Sequence, residues 1–375
     1  MDVQKNLSGK GNVNGINTGT SLRVAVIFRE LAPYMLACLR ATAAKSGHEL
    51  TVFCLPVNPE APFNFGNQPG LRLVDRSHFS AKELEQQIRA LQPQLVFVAD
   101  WTSRAVLKVA WKLRKTYVFT TGFDNHYTGT FKQRMLTLAA AQVFPRIFRH
   151  VFIPGAPQRE FAEKLGFKDH QITEGAYTAD TALFNTYADE FDSGKAQQFP
   201  HRFLCVARYI PAKGLDILWQ AFEEAKAEYP CDWELWCAGT GALWEQRAVH
   251  PDIRHLGFIQ PEQMGPVIAE TGVFVLPSVF EPWGVVVHEY AAAGFPLLLS
   301  EAVGAASAFL NPGINGLSFA PSDKEGLKAA LLRMMKTPDH ELYKMAQDSR
   351  RLAAANSPEI WAVRFLDMGK SFSNE

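Results

Sequence analysis

Short apolar runs alternate with longer amphipathic stretches along most of the chain, and that alternation predicts its architecture. "LRVAVIF" (22–28) has the unbroken apolar character of a strand buried on both faces, and "LTVFCL" (50–55) repeats it. A helix is predicted between them, over residues 33–45. "AKELEQQIRAL" (81–91) puts its apolar residues on one helical face, and "QLVFVAD" (94–100) is a strand ending in an acid. "AVLKVAWKLRK" (105–115) predicts a further helix and "TYVFTTG" (116–122) a further strand. Strands and helices in this order build βαβ units on a parallel sheet.

The pattern then restarts. After the polar stretch "NTYADEFDSGKAQQFPH" (185–201) come "RFLCVAR", the helix "LDILWQAFEEAKAEY", and the strands "WELWCAG", "IRHLGF", "GVFVLPS" and "FPLLLS". The polar stretch is the expected linker, and the chain reads as two Rossmann-like, doubly wound α/β domains facing across a cleft. The expected boundaries are a disordered tail at 1–20, a first domain at 21–192, a second at 193–355 and a terminal helix within 356–375. A length of 375 residues, more than one core usually serves, agrees with two domains.

Composition narrows the function. Lys+Arg and Asp+Glu each count 38, so the chain lacks the basic excess of a general nucleic-acid binder. Its five cysteines lie mostly in apolar runs, with no CxxC and no metal spacing, which fits reduced thiols in a cytosolic protein. The N-terminal segment is polar and Gly/Asn-rich, without the apolar core of a signal peptide, and no run reaches the ~18 apolar residues of a membrane span.

The densest chemistry is in "FEPWGVVVHEYAAAGFP" (280–296). A strand (272–278) leads into a short loop, and a helix starts near Gly284. Ligands of open α/β sheets bind where strand ends and helix starts converge. Gly284 removes a side chain at the helix entrance, so the free N–H groups of Val285 and Val286 can face an anion at the positive end of the helix dipole. Glu289, one turn on, could accept hydroxyls of a ribose whose phosphates sit over the helix start, and Glu281 could reach the attached sugar.

This stretch resembles the Glu-x7-Glu motif of the retaining, nucleotide-sugar-dependent glycosyltransferases of family 4, which have the GT-B fold. "VARYIPAKGLDILWQAF" (206–222) is similar to that family's Arg–loop–Lys-Gly segment, and "CAGTGALWE" to its Gly-x-Gly turn. "HLGFIQPEQMGPVIAETGVFVLPS" and "NPGINGLSFAPSDKEGLKAAL" resemble the segments on either side of the motif. The resemblance covers roughly residues 202–335 and is mainly architectural before that.

It implies a donor site of Gly239, Gly241, Phe258, Ile259, Trp283, Gly284, Val285, Val286 and Glu289, with Glu289 on the ribose and backbone near Phe258 reading the base. Arg208 and Lys213 would neutralise a diphosphate and stabilise it as it leaves. Glu281 would contact the donor sugar. A histidine near donor and acceptor is also implied, and His126 in "TTGFDNHYTGT" is the candidate, with Asp124 beside it and Asp100 and Trp101 at another strand end on the acceptor side. No metal or separate cofactor is expected, a nucleoside diphosphate sugar being the co-substrate. Two departures stand out: "FRELAPYM" replaces the Gly-Gly loop often seen after the first strand, and Ala207 replaces the Gly before the phosphate-binding Arg.

The expected function is transfer of a hexose or N-acetylhexosamine, from a UDP-sugar first and a GDP-sugar next, to a glycan or lipid-linked acceptor hydroxyl. The basic and aromatic residues of 107–115 and 131–150 could rest on an anionic membrane presenting that acceptor, at its cytoplasmic face. A nucleotide-sugar 2-epimerase of the same fold, or a non-catalytic sugar-nucleotide-binding protein, would carry the same donor residues. A dinucleotide oxidoreductase is disfavoured because no GxGxxG follows the first strand of either half.

Overall fold

The computed structural model describes residues 22–47, 49–57, 62–66 and 68–370; the tail expected at 1–20 lies outside them. The first domain runs β1 (Val24–Ile27), α1 (Pro33–Ser46), β2 (Leu50–Cys54), β3 (Leu71–Asp75), α2 (Ala81–Leu91), β4 (Leu95–Val98), α3 (Arg104–Leu113) and β5 (Val118–Gly122). It continues through α4 (Phe131–Ala140), α5 (Phe144–Ile147), β6 (His150–Ile153), α6 (Ala156–Lys164) and β7 (Ile172–Glu174) to α7 (Thr181–Gln197). Its seven strands pair in the order β3-β2-β1-β4-β5-β6-β7, all parallel.

The second domain comprises β8 (Arg202–Val206), α8 (Leu215–Glu228), β9 (Glu234–Ala238), β10 (Ile253–Gly257), α9 (Gly265–Glu270), β11 (Val273–Leu276) and α10 (Val285–Ala292). After these come β12 (Leu297–Ser300), α11 (Ala306–Phe309), β13 (Gly316–Phe319), α12 (Lys324–Met335) and α13 (Asp339–Ala353). The sheet order is β10-β9-β8-β11-β12-β13, again parallel throughout. Both domains are therefore doubly wound.

Central strands such as β1, β4 and β11 are apolar along their whole length because helices cover both faces. In the second domain α8 and α12 bury Leu218, Phe222, Leu327 and Leu331 against one face, and α10 buries Tyr290 and Ala291 against the other. Tyr290 stacks on Phe274 of β11 with ring centroids 4.5 Å apart.

The linker expected at 185–201 is mostly the body of α7. Phe184, Tyr187 and Ala188 recur at helical spacing and are buried, whereas Asp189, Glu190, Ser193 and Gly194 after them face outward and give the stretch its loop-like composition. The chain crosses back at its end through α14 (Pro358–Lys370). There Trp361, Phe365, Leu366 and Met368 join Val24, Val26, Leu36 and Leu39 in the first-domain core, each fully buried side chain contributing ~1.5–3 kcal/mol. The indole N–H of Trp361 donates to Ala176 O at 2.7 Å. Among the described residues no helix is long and apolar enough to cross a membrane.

Candidate active site

The carboxyl ends of the two sheets face each other across a cleft of about 440 Å³, a size typical of small-molecule sites. From the second domain it is lined by Arg208, Lys213, Gly239, Phe258, Ile259, Glu281, Gly284, Val285, Val286 and Glu289. From the first come Glu30, Tyr34, Phe63, Asp124 and Tyr177.

The loop after β8 carries the two cations. It folds against the β9 turn through Tyr209 N donating to Thr240 O at 2.9 Å and Leu243 N to Tyr209 O at 2.8 Å. A Cβ on Gly239 would stand 2.0 Å from Ala207 O, and one on Gly241 2.8 Å from Tyr209 O, so both glycines permit this contact between loops. Gly239 also lines the cleft; Gly241, expected at the donor, does not, and packs against Tyr209 instead. Gly214 follows Lys213 in the left-handed region (φ +61°) and starts α8.

Lys213 reaches across the cleft floor to an ion pair with Glu281, both side chains being largely buried. Glu281 is itself fixed by backbone pairing, its carbonyl accepting from Gly304 N at 3.1 Å. Gly284 starts α10 at φ +90°, leaving the first-turn N–H groups of Val285 and Val286 at the cleft wall. The helix is anchored by His288, whose Nδ1 accepts from Ala179 N at 3.0 Å and whose Nε2 donates to Ala353 O at 3.0 Å. Burial lowers the His288 pKa to about 4, which keeps it neutral in that tautomer.

Glu289 lines the same cleft one turn along α10, and no hydrogen bond or ion pair engages its carboxylate among the described residues. Burial, with Asp180 adding negative charge nearby, raises its pKa to about 7. Asp124 is shifted upward as well, by burial first and then by Glu281. The loop bearing Asp124 is tied to the second domain by Gln158, a fully buried residue. Its side-chain nitrogen donates to Asp124 O at 3.1 Å and to Pro282 O at 2.7 Å.

His126 lies outside this cleft. Its ring sits 5.4 Å from that of Phe280, and it lines an adjoining cleft together with Glu281. Three other expectations are corrected. Trp283 turns inward, only 3% exposed, packing on Phe309 and so close to Gly155 that a Cβ there would lie 2.8 Å from the indole. Its apolar neighbours hold it in the core, away from a donor. Asp100 is buried and ion-paired with Arg76, which also donates to Phe28 O at 2.9 Å, so it ties strand ends together rather than facing an acceptor. Trp101 is half-buried and packs its indole against Phe123, Phe144 and Phe161 at the border of the first-domain core.

Sequence reasoning missed Tyr34, Tyr177, Phe63 and Gln158. The ring centroids of Tyr34 and Tyr177 lie 5.6 Å apart at the cleft wall, and burial drives both hydroxyls far from ionisation. Phe63 meets Phe258 edge-on at 5.5 Å, so a first-domain loop covers the pocket beside Ile259. Tyr34 was accessible to the strand-end rule, since it follows the first strand at the position where "FRELAPYM" departs from a Gly-Gly loop. Phe63 and Gln158 each reach across the domain junction, which no local pattern encodes.

The family model described as "Glycosyl transferases group 1" matches residues 200–337. Glycogen synthase of Mycobacterium tuberculosis is 31% identical over 155 residues, covering 40% of this chain and 37% of that protein. The chain thus spans little more than a third of the length of the curated relatives it matches. Among solved structures, Anabaena HepE in complex with UDP and glucose superposes with a TM-score of 0.72 at 14% identity, over 94% of this chain and 100% of that one. Sucrose-phosphate synthase from Thermosynechococcus elongatus gives 0.73 at 16% identity, with the same coverage. Residues 200–337 are therefore similar to the group 1 glycosyl transferases, and the two-domain fold around them is that of the GT-B glycosyltransferase structures.

Proposed function

We propose that the protein is a retaining glycosyltransferase that moves a hexose or N-acetylhexosamine from a nucleoside diphosphate sugar, a UDP-sugar first, to an acceptor hydroxyl. The observation that carries this reading is the gathering of Arg208, Lys213, the α10 start and Glu289 around one cleft at the sheet edges. The diphosphate lies over Val285 and Val286, the two cations offset its charge, and Glu289 accepts from the ribose hydroxyls. The base rests between Phe258 and Ile259 under Phe63. UDP and glucose in the HepE structure support the choice of donor class.

Glu281 is paired with Lys213 and sits beside the reacting carbon as a partner for sugar hydroxyls, not as a nucleophile. The bond from the anomeric carbon to the diphosphate oxygen breaks and the bond to the acceptor oxygen forms on the same face. The acceptor proton passes to the departing diphosphate. Charge on the leaving group is met by protein cations and helix N–H groups, so the reaction is metal-independent.

The acceptor is a glycan or lipid-linked sugar at the cytoplasmic face of a membrane. On α4, Phe131 is 79% and Leu138 73% exposed, Lys132 and Arg134 lie on the same helix, and the helix carries no acidic residue. An anionic lipid surface matches that combination of apolar and basic groups.

A thermal-shift screen with UDP-, GDP-, ADP- and dTDP-sugars, with and without EDTA, followed by product analysis, tests the proposal. One sugar nucleotide stabilises the protein irrespective of EDTA and is consumed with release of the nucleoside diphosphate. Stabilisation by none of them, or release of a free epimerised sugar nucleotide, removes the reading.

A further inference from the structure

A second cleft, of about 460 Å³, meets the donor cleft at Glu281, the one side chain among the described residues that lines both. Its first-domain wall is His126, Tyr127 and Pro157. The opposite wall is second-domain loop, from Glu301 through Val303, Gly304 and Ser307 to Pro312. That wall is fixed by backbone to the donor-site loop: Glu281 bridges Val303, and Ala305 N donates to Trp283 O at 2.8 Å. A Cβ on Gly304 would lie 2.1 Å from Pro282 O, so the two loops are in direct contact. The first-domain wall is pinned too, by Gln133 Nε2 donating to His126 O at 2.9 Å.

The lining has a definite chemistry. It contains the carboxylates of Glu281 and Glu301, the hydroxyls of Ser307 and Ser318, and apolar surface from Val303, Leu310 and Pro312, but neither Lys nor Arg. Lys164 is not part of the lining; its ammonium stands over the Tyr127 ring, 4.5 Å from the ring centre. Glu281 is neutralised from the donor side by Lys213, whereas no hydrogen bond or ion pair engages the exposed Glu301 carboxylate among the described residues. Carboxylates and hydroxyls bind sugar hydroxyls, and apolar or aromatic walls take the C–H faces of a pyranose ring. A phosphate would meet uncompensated negative charge here.

We infer that this second cleft is the acceptor subsite, and that it takes a neutral saccharide in preference to a sugar phosphate. The inference rests on the donor reading above. It moves the acceptor away from Asp100 and Trp101 to a groove half built by the donor domain, with His126 and Glu281 at the junction where the acceptor hydroxyl meets the sugar.

The experiment uses the full chain with whichever sugar nucleotide stabilises it. Maltose and methyl α-glucopyranoside are compared with glucose 6-phosphate as acceptors, for wild type, Glu301→Lys and Ser307→Trp. A neutral sugar is the preferred wild-type acceptor, and both variants raise its KM about tenfold or more while donor Kd stays within about twofold. Glu301→Lys also shifts the preference toward glucose 6-phosphate. A wild-type preference for glucose 6-phosphate, acceptance of neither neutral sugar, or an unmoved acceptor KM in both variants overturns the assignment. Failure of every sugar nucleotide to bind appears before any acceptor is added; it brings down the donor reading and this inference with it.

Discussion

Lys213 and Glu281 form an ion pair that joins the loop after β8 to the loop after β11 across the floor of the cleft. In the proposed donor pose a diphosphate would compete for the same ammonium and free the Glu281 carboxylate for the sugar. The two residues therefore fail differently when removed. Lys213→Ala should weaken donor binding by about tenfold or more, because it deletes a charge-assisted contact and leaves the largely buried Glu281 carboxylate uncompensated. Glu281→Ala should lower kcat by about 100-fold with less than about a threefold change in donor Kd. Calorimetry for binding and product release for turnover separate the two, and wild-type turnover in Glu281→Ala would defeat the assignment.

In the proposed donor site Glu289 would link donor binding to pH. Its folded pKa is raised to about 7 from an ordinary 4.5. Between those values the folded protein keeps a proton that the unfolded chain has lost, so stability declines as pH rises through this window and levels off above it. Glu289→Gln removes the titration. The variant should gain melting temperature over wild type at pH 8 and lose that advantage near pH 5. A ribose held by the ionised carboxylate compensates its desolvation, so wild-type donor affinity should fall as pH drops below about 7 and that of the variant should stay flat. Parallel pH profiles of melting temperature in the two proteins would contradict the shift.

Much of the architecture was legible because parallel strands buried on both faces must be apolar throughout: the runs at 22–28, 50–55 and 94–100 each contain an observed strand. β3 was missed because it lies at the sheet edge, where Arg72 and Asp75 are exposed and break the apolar run. The helix at 185–197 was hidden by the polar residues of its outer face. Within the cleft, residues at strand ends and helix starts could be placed from local pattern, as with Arg208, Glu281 and Glu289. Asp100 and Trp101 also stand at a strand end, yet the partners that bury them, Arg76 and Phe161, come from distant segments. Local pattern locates the sheet edge; it does not say which edge residues are consumed by packing.

Membrane contact through α4 has a direct test. Phe131 and Leu138 are the most exposed apolar side chains of that helix, and Lys132 and Arg134 supply its charge. Wild-type protein should sediment with vesicles containing anionic phosphatidylglycerol and less so as salt rises, since each cation near such a surface contributes about 1 kcal/mol at low ionic strength. The pair Phe131→Glu and Leu138→Glu should reduce sedimentation about tenfold without lowering the melting temperature, because both side chains face solvent. Equal sedimentation of variant and wild type would assign α4 no part in membrane binding.

Two glycines distinguish backbone strain from steric contact. Gly239 has φ +132° and a Cβ there would lie 2.0 Å from Ala207 O, whereas Gly313 has φ +81° with nothing within 4 Å of the added atom. Gly313→Ala therefore incurs the conformational cost alone, about 1 kcal/mol. Gly239→Ala adds the displacement of a backbone carbonyl and should cost roughly 3 kcal/mol or more. At about 2–4 °C per kcal/mol for domains of this size, the two variants should differ by several degrees in melting temperature. Donor affinity separates them further. Pushing Ala207 away moves Arg208 and the loop that carries Lys213, so Gly239→Ala should lose donor binding and Gly313→Ala should keep it. Equal donor affinity in the two would mean that the contact between the β8 and β9 loops does not set the position of the cations.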